Sequence, residues 1–351
     1  MSTQPRVLLS AYQCGPGMGS VSQIGWEWYS RLSARVPVTL VTHVRNRTAL
    51  EAAGAPLSGT EIEYVDTEWF AGPLYRLASK LFPKSQHCVF MISSADFYVY
   101  DRSARKALKA RQRNGDSWDI IHAATPVSSL GATRLYRLGL PMVLGPLNSG
   151  LKSPSGFPEL LSADSPWLYP IRNFGRLIEV FRGSLRNARM ILSATRATQE
   201  SLPTGSRDKC VDLLENGVDL SRFTAADWPT PASATDPLRL VFVGRLVPFK
   251  GIPLLLKALS NLRGEFPFEF RVVGDGPMRW EWEKQARQLE LDENSVKFVG
   301  GLPLDEVPEQ MRWAHAFCLP SVRESGGAVL IESMSCARPV IAVDYGGPGE
   351  L

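Results

Sequence analysis

Short apolar runs rich in β-branched residues, separated by segments of helix length, limit what this chain can fold into more than any other feature. The first series is Val7–Tyr12, Val38–Thr42, Ile120–Ala123, Met142–Leu144 and Met190–Ala194; the second is Leu238–Val243, Phe270–Val273, Val296–Val299, Ala316–Leu319 and Val340–Val343. Runs of this kind with helical patterns between them are read as strands of parallel sheets. Between the series lie Trp228–Pro231 and the stretch ASATDP, where prolines and small residues favour a loop. The boundary falls between about Leu202 and Asp236, and the chain divides into an α/β domain over 1–204 and a second over 205–351. A length of 351 residues agrees with two domains on a prior of about 150 residues each.

Composition narrows the class. With 44% hydrophobic and 21% charged residues the chain has the balance of a soluble globular protein. No apolar run approaches the roughly 18 to 20 residues needed to cross a bilayer, and MSTQPRVLLSAY lacks a basic n-region, so a cytoplasmic protein is expected. Cys14, Cys88, Cys210, Cys318 and Cys336 are odd in number and never spaced C-x-x-C, which suggests neither a disulfide framework nor a zinc site. The net charge of +4 conceals a split: residues 1–200 carry 23 Lys and Arg against 14 Asp and Glu, and residues 201–351 carry 16 against 21. Such an asymmetry suits two units with different partners.

The segment most informative about chemistry is Cys318–Glu332, CLPSVRESGGAVLIE. It reads as a strand, a loop with Glu324, Gly326 and Gly327, and a helix opening near Ala328 whose first amides, at Ala328 and Val329, are free for a phosphate. Glu324 would lie beside that phosphate and Glu332 deeper along the ligand, where a carboxylate can accept hydrogen bonds from vicinal hydroxyls. The same spacing also describes two solvent-facing helix glutamates. In VFVGRLVPFKG a strand ends at Gly244-Arg245 and Lys250 follows, which places two cations at one sheet edge, where ligands of open α/β sheets bind. No D-x-D pair is present to hold a divalent ion, so no metal is assigned; protein cations would stabilise a leaving diphosphate instead.

Weaker signals are VVGDGP, with Gly276, and VKFVGGL, with Gly301, two strand ends where backbone could approach a flat base closely, although each is also a simple turn. In the first half, QCGPGMGSVSQIG carries Gly15, Gly17 and Gly19 and could fold over an anion. DIIHAATP places His122 at a strand end, the rim where ligands bind, and GPLNSG, Gly145–Gly150, could border an acceptor. His43, His87 and His315 have no such context. Residues 76–113 hold nine Lys or Arg against Asp96 and Asp101, interleaved with apolar residues as on surfaces that rest on anionic membranes. An ordinary solvated helix pair would also fit.

Taken in order, ESGGAVLIE, GRLVPFKG, ENGVDLSRF, VVGDGP, DIIHAATP and LLSAYQCGPGMGSVSQIGWEW resemble the retaining glycosyltransferases of the fourth family, the group 1 enzymes of GT-B architecture. The resemblance implies two Rossmann-like domains facing across a cleft, the first for the acceptor and the second for a nucleotide-sugar donor. It implies that Arg245 and Lys250 bind the diphosphate, Glu324 the donor sugar and Glu332 the ribose, while His122 approaches the transferred sugar. No cofactor is implied. The donor would be a UDP-sugar in first place and GDP-mannose in second, the acceptor a polysaccharide or lipid-linked glycan, with no nucleic acid and with peripheral contact to an anionic membrane. Two departures stand out. The family loop Glu-Gly-Phe-Gly is here Glu324-Ser325-Gly326-Gly327, and the chain stops at Gly346–Leu351 where members continue into further strands and a terminal helix, so the second domain is expected to be incomplete. Competing readings are a non-catalytic sugar-nucleotide binding subunit and an NAD-dependent oxidoreductase. The second is disfavoured because no complete G-x-G-x-x-G fingerprint with a following acid occurs.

Overall fold

The fold was analysed in a computed structural model that describes residues 4–82, 89, 92–129, 131–148, 151, 156–157 and 178–351. The runs read from the sequence form strands of two separate sheets. In the first unit, β1 (Val7–Ala11), β2 (Val38–His43), β3 (Thr60–Val65), β4 (Ile120–Thr125), β5 (Met142–Leu147), β6 (Met190–Ser193) and β7 (Cys210–Asp212) pair in the order β3-β2-β1-β4-β5-β6-β7. In the second, β8 (Leu238–Val243), β9 (Phe268–Val273), β10 (Val296–Gly300), β11 (Ala316–Leu319) and β12 (Val340–Ala342) pair in the order β10-β9-β8-β11-β12. Every pairing is parallel.

The inner strands β1 and β2 are buried along their whole length, which is why they read as continuous apolar runs. Successive residues of β1 serve opposite faces. Leu8 packs with Val41, Ile121 and Leu108, whereas Val7 and Leu9 pack with Tyr29, Leu40 and Leu50. The helix Asp96–Arg113 covers the first of these faces with Phe97, Tyr100, Ala104 and Leu108, a helical repeat, and leaves Arg102, Lys106, Lys109 and Arg113 exposed. In the second unit the core is built on Phe242, Phe270, Phe317 and Trp282, each nearly inaccessible; burial of a side chain of this size stabilises by about 1.5–3 kcal/mol.

The first unit extends to Glu215, and Asn216–Leu351 falls in the second. This corrects the boundary at 204/205: Cys210–Asp212 adds β7 to the first sheet, through Ile191↔Cys210, Leu192↔Val211 and Ser193↔Asp212. In each sheet the strand order reverses beside the strand that comes first in sequence, between β1 and β4 and between β8 and β11. Such reversals open a crevice at the carboxyl ends of the strands, where ligands of doubly wound folds bind.

Candidate donor site at the switch point of the second sheet

The loops that leave β8 and β11 meet at the reversal point of the second sheet. After Val243 the chain passes Gly244 and the exposed Arg245, then makes a short 3₁₀ turn over Pro248–Lys250. After Leu319 it runs through Ser321 and Glu324 to Gly327, which caps the helix Ala328–Ser335 in a left-handed conformation (φ 67°). The two loops are stitched by main chain: the Val322 amide donates to the Phe249 carbonyl at 2.9 Å, and a Cβ on Gly251 would lie 2.1 Å from the Pro320 carbonyl oxygen. Gly251 has φ 67°, so both its conformation and its space exclude a side chain. Held this closely, the Lys250 ammonium forms an ion pair with the Glu324 carboxylate, both side chains about 15% exposed.

Beside that pair the helix Ala328–Ser335 begins without a side-chain cap and without an acidic residue in its first turn. The amides of Ala328 and Val329 therefore face outward with the positive end of the helix dipole, a combination that suits a phosphate. One turn on, Glu332 is partly buried, and its carboxyl is raised above the usual range by burial, with Arg222 acting in the opposite sense. Among the described residues no group donates a hydrogen bond to this carboxylate. Arg222, which also pairs with Asp305 at 3.0 Å, comes from the ENGVDLSRF segment; the motif was visible in the sequence, but nothing in its spacing marked this arginine.

Loops after β9 and β10 complete the edge, and here the glycines act differently from the expectation. A Cβ at Gly274 would meet the Gly244 carbonyl oxygen at 2.0 Å, and one at Gly276 would meet that of Leu246 at 2.4 Å. The close approach at Gly276 is thus made by the protein's own neighbouring loop, which Leu246 N–H joins to the Asp275 carbonyl at 2.9 Å. Gly301, by contrast, has no atom within 4 Å of an added Cβ and leaves open space. Gly244, Arg245, Lys250, Glu324, Gly326, Gly327, Ala328, Val329 and Glu332 all lie on the two loops at the switch point or in the helix that follows. Gly276 and Gly301 flank them at the ends of β9 and β10.

His122 and Gly19 belong to the first unit. Gly19 precedes the helix Ser20–Ser33 at φ 101°, with open space about it. His122 does not stand at the rim: it is the third residue of β4, 5% exposed, and its Nε2 hydrogen-bonds the Gly145 carbonyl at 2.7 Å. Trp28 packs edge-on against the ring with centroids 4.3 Å apart. Burial lowers its pKa to about 4, so the imidazole is neutral near pH 7. The residue that does stand at the carboxyl end of β4 is Thr125, whose hydroxyl donates to the Gln13 carbonyl at 2.9 Å and accepts from the Gln13 amide at 3.0 Å. Strand length was the missing signal, since β4 runs two residues past the expected Ala123. His43 lies buried at the end of β2 on Thr67, and His315 bridges Arg239 N–H and the Thr230 carbonyl. His87, Cys88 and the Ser149-Gly150 end of the GPLNSG turn lie outside the described residues.

Two parallel-sheet α/β units with an anion-receptive crevice in the second define the class: this is the fold of the GT-B glycosyltransferases. HepE of Anabaena, solved in complex with UDP, superposes with a TM-score of 0.60 at 18% identity, covering 99% of this chain and 82% of that one. WaaG, a glycosyltransferase involved in lipopolysaccharide biosynthesis, gives 0.57 at 17% identity over 98% and 82%. Residues 227–351 match the family described as glycosyl transferases group 1. Among curated relatives, the D-inositol 3-phosphate glycosyltransferase of Pseudarthrobacter chlorophenolicus is 29% identical over 68% of this chain and 57% of its own length. The 2-deoxystreptamine glucosyltransferase of Streptomyces kanamyceticus is 32% identical over 48% of this chain and 46% of its own length. The chain spans about half the length of these curated relatives.

Proposed function

We propose that the protein is a retaining, metal-independent glycosyltransferase that moves a sugar from a nucleotide-diphosphate sugar to a polysaccharide or lipid-linked glycan. The observation that carries this reading is the Lys250–Glu324 pair beside an uncapped helix start at the switch point of the second sheet. A cation, a carboxylate and free amides within one crevice match the three parts of such a donor: a diphosphate, sugar hydroxyls and ribose hydroxyls. Lys250, Arg245 and the amides of Ala328 and Val329 meet the diphosphate, Glu324 the sugar and Glu332 the ribose. As the bond from the anomeric carbon to the diphosphate breaks, the cations take up the charge that develops on the leaving group. The acceptor hydroxyl attacks from the same face, its proton passes to the departing diphosphate oxygen, and the configuration is kept. UDP is the first choice of nucleotide, in keeping with the UDP bound to HepE, and GDP-mannose the second.

The first unit is proposed to hold the acceptor and to rest on an anionic membrane. Support comes from the exposed row Arg102, Lys106, Lys109 and Arg113, and from the helix Glu68–Leu81, which exposes Trp69, Leu77 and Leu81 beside Arg76 and Lys80. No helix among the described residues is long and apolar enough to cross a membrane. The deciding experiment incubates purified protein with UDP-, GDP-, ADP- and CMP-sugars, follows release of the nucleotide with and without acceptor glycans, and measures thermal stabilisation by each donor and by NAD. Stabilisation by NAD alone would turn the assignment toward the oxidoreductase, and binding without turnover toward a non-catalytic subunit.

A further inference from the structure

The Glu324 loop is held from two sides by main chain. One side is the Lys250 loop, through Phe249–Val322 and Gly251–Pro320. The other is the turn that follows β12. There the Gly347 amide donates to the Glu324 carbonyl at 3.0 Å. A Cβ built on Gly346 would lie 2.5 Å from that same Glu324 oxygen, and one on Gly347 would lie 2.5 Å from the Ser325 carbonyl oxygen and 3.2 Å from the Gly326 nitrogen. These contacts are with backbone, which has no flexible end to swing away. Gly346 has φ 70°, but Gly347 is free of such strain, so at Gly347 the exclusion of a side chain is purely a matter of space.

We infer that the Gly346-Gly347 turn is the platform that sets the height of the Glu324 loop, and that Gly347 is a positioning residue for Glu324. The inference rests on the glycosyl-donor reading for what Glu324 does, but the mechanical link does not depend on it. A methyl at Gly347 pushes Ser325 and Gly326 outward, rotates Glu324 away from Lys250 and shifts the sugar subsite relative to the nucleotide subsite. Glu332, one turn into the following helix, stays in place. The turn thus acts more strongly on the sugar half of the donor than on the nucleotide half.

The test compares the parent protein with Gly347→Ala. Amide hydrogen exchange without ligand should be faster over residues 320–327 in the variant and unchanged over the helix Ile252–Asn261. Calorimetry should show a smaller loss of affinity for UDP than for UDP-glucose, and turnover of UDP-glucose should fall on the order of 10²-fold, the scale of a misplaced reacting group. Unchanged exchange over 320–327, or equal losses for UDP and UDP-glucose, would overturn the inference. Faster exchange in a protein whose parent binds neither ligand would support the platform and sink the donor reading instead. Should Gly347→Ala not fold, the parent alone decides: UDP-glucose must slow exchange over residues 343–351 more than UDP does, and equal protection by both would refute the link.

Discussion

Lys250 and Glu324, 74 residues apart in sequence, neutralise each other across the switch point of the second sheet. In the ligand-free protein they therefore act as one unit, and on the proposed reading donor binding exchanges this pair for contacts to diphosphate and sugar. Lys250→Ala is expected to lower turnover by roughly 10²–10³, about 3–4 kcal/mol, as for other lost transition-state donors. Because Glu324 is left without its partner, the double variant with Glu324→Ala should show a coupling of about 0.5–3 kcal/mol in stability. Turnover of Lys250→Ala within threefold of the parent, or strict additivity, would contradict this view of the site.

On the proposed reading, Arg245 and Lys250 take the place of a divalent ion in offsetting the charge of the leaving diphosphate. Excess chelator is expected to leave nucleotide release unchanged in a steady-state assay. A strict requirement for Mg²⁺ or Mn²⁺ would transfer that role from the protein to a metal.

Among the described residues none donates a hydrogen bond to the Glu332 carboxylate, and burial raises it above the usual carboxylate range. Glu332→Gln keeps its shape but weakens charge-assisted bonds to ribose hydroxyls, so affinity for UDP should drop by about 1.5–3 kcal/mol. The raised pKa also gives a pH signature. As pH falls, this carboxyl is protonated before ordinary ones and ceases to accept, so UDP affinity of the parent should decline on the acid side while that of Glu332→Gln stays flat. Calorimetry across pH 4.5–7.5 distinguishes the two, and parallel curves would remove Glu332 from the ribose.

His122 is held neutral in β4 with a pKa lowered from 6.5 to about 4. Between those values the unfolded chain binds the extra proton, so the stability associated with a neutral His122 is complete above pH 6.5 and declines as pH drops toward 4. The loss from this residue is about 3 kcal/mol across that window. Replacement by Gln should lower stability at pH 7, by losing the Trp28 contact, and flatten the acid limb of urea denaturation curves. A variant with an unaltered acid limb and much reduced turnover would return His122 to the chemistry.

The proposed membrane contact has its own test. Protein should sediment with anionic liposomes at low salt and be released near 0.5 M, where the Debye length falls to roughly 4–5 Å. Charge reversal at Lys106 and Lys109 should abolish sedimentation, and equal recovery with neutral liposomes would favour a soluble acceptor.

Ten strands were legible because each carries an apolar run, the edge strands β10 and β12 included despite their exposed positions. β3 and β7 were not. In TEIEYV only Val65 is buried, and Glu61 and Glu63 face Arg111; Cys210–Asp212 is a three-residue edge strand with two exposed positions. Strands with one paired side carry polar residues that spacing alone cannot tell from loop. The site shows the same division. Charged residues at strand ends, Arg245, Lys250, Glu324 and Glu332, could be read from order and type. Depth could not, which is why His122 was placed at a rim it does not reach. Nor could the use of Gly276 be foreseen, since a glycine that admits a ligand and one that admits a neighbouring loop look alike in sequence.

The partly desolvated carboxylate of Glu332 also has a consequence for heat resistance. A carboxylate partly withdrawn from water, with only the charge of Arg222 acting on it, carries a desolvation cost that hydroxyls of a ligand can offset. Exchange for a hydrophobic residue of similar volume, Glu332→Leu, should therefore raise the melting temperature of the free protein while removing the added stabilisation that UDP brings to the parent. Screening this chain for thermal resistance alone would select against the residue proposed to hold the ribose.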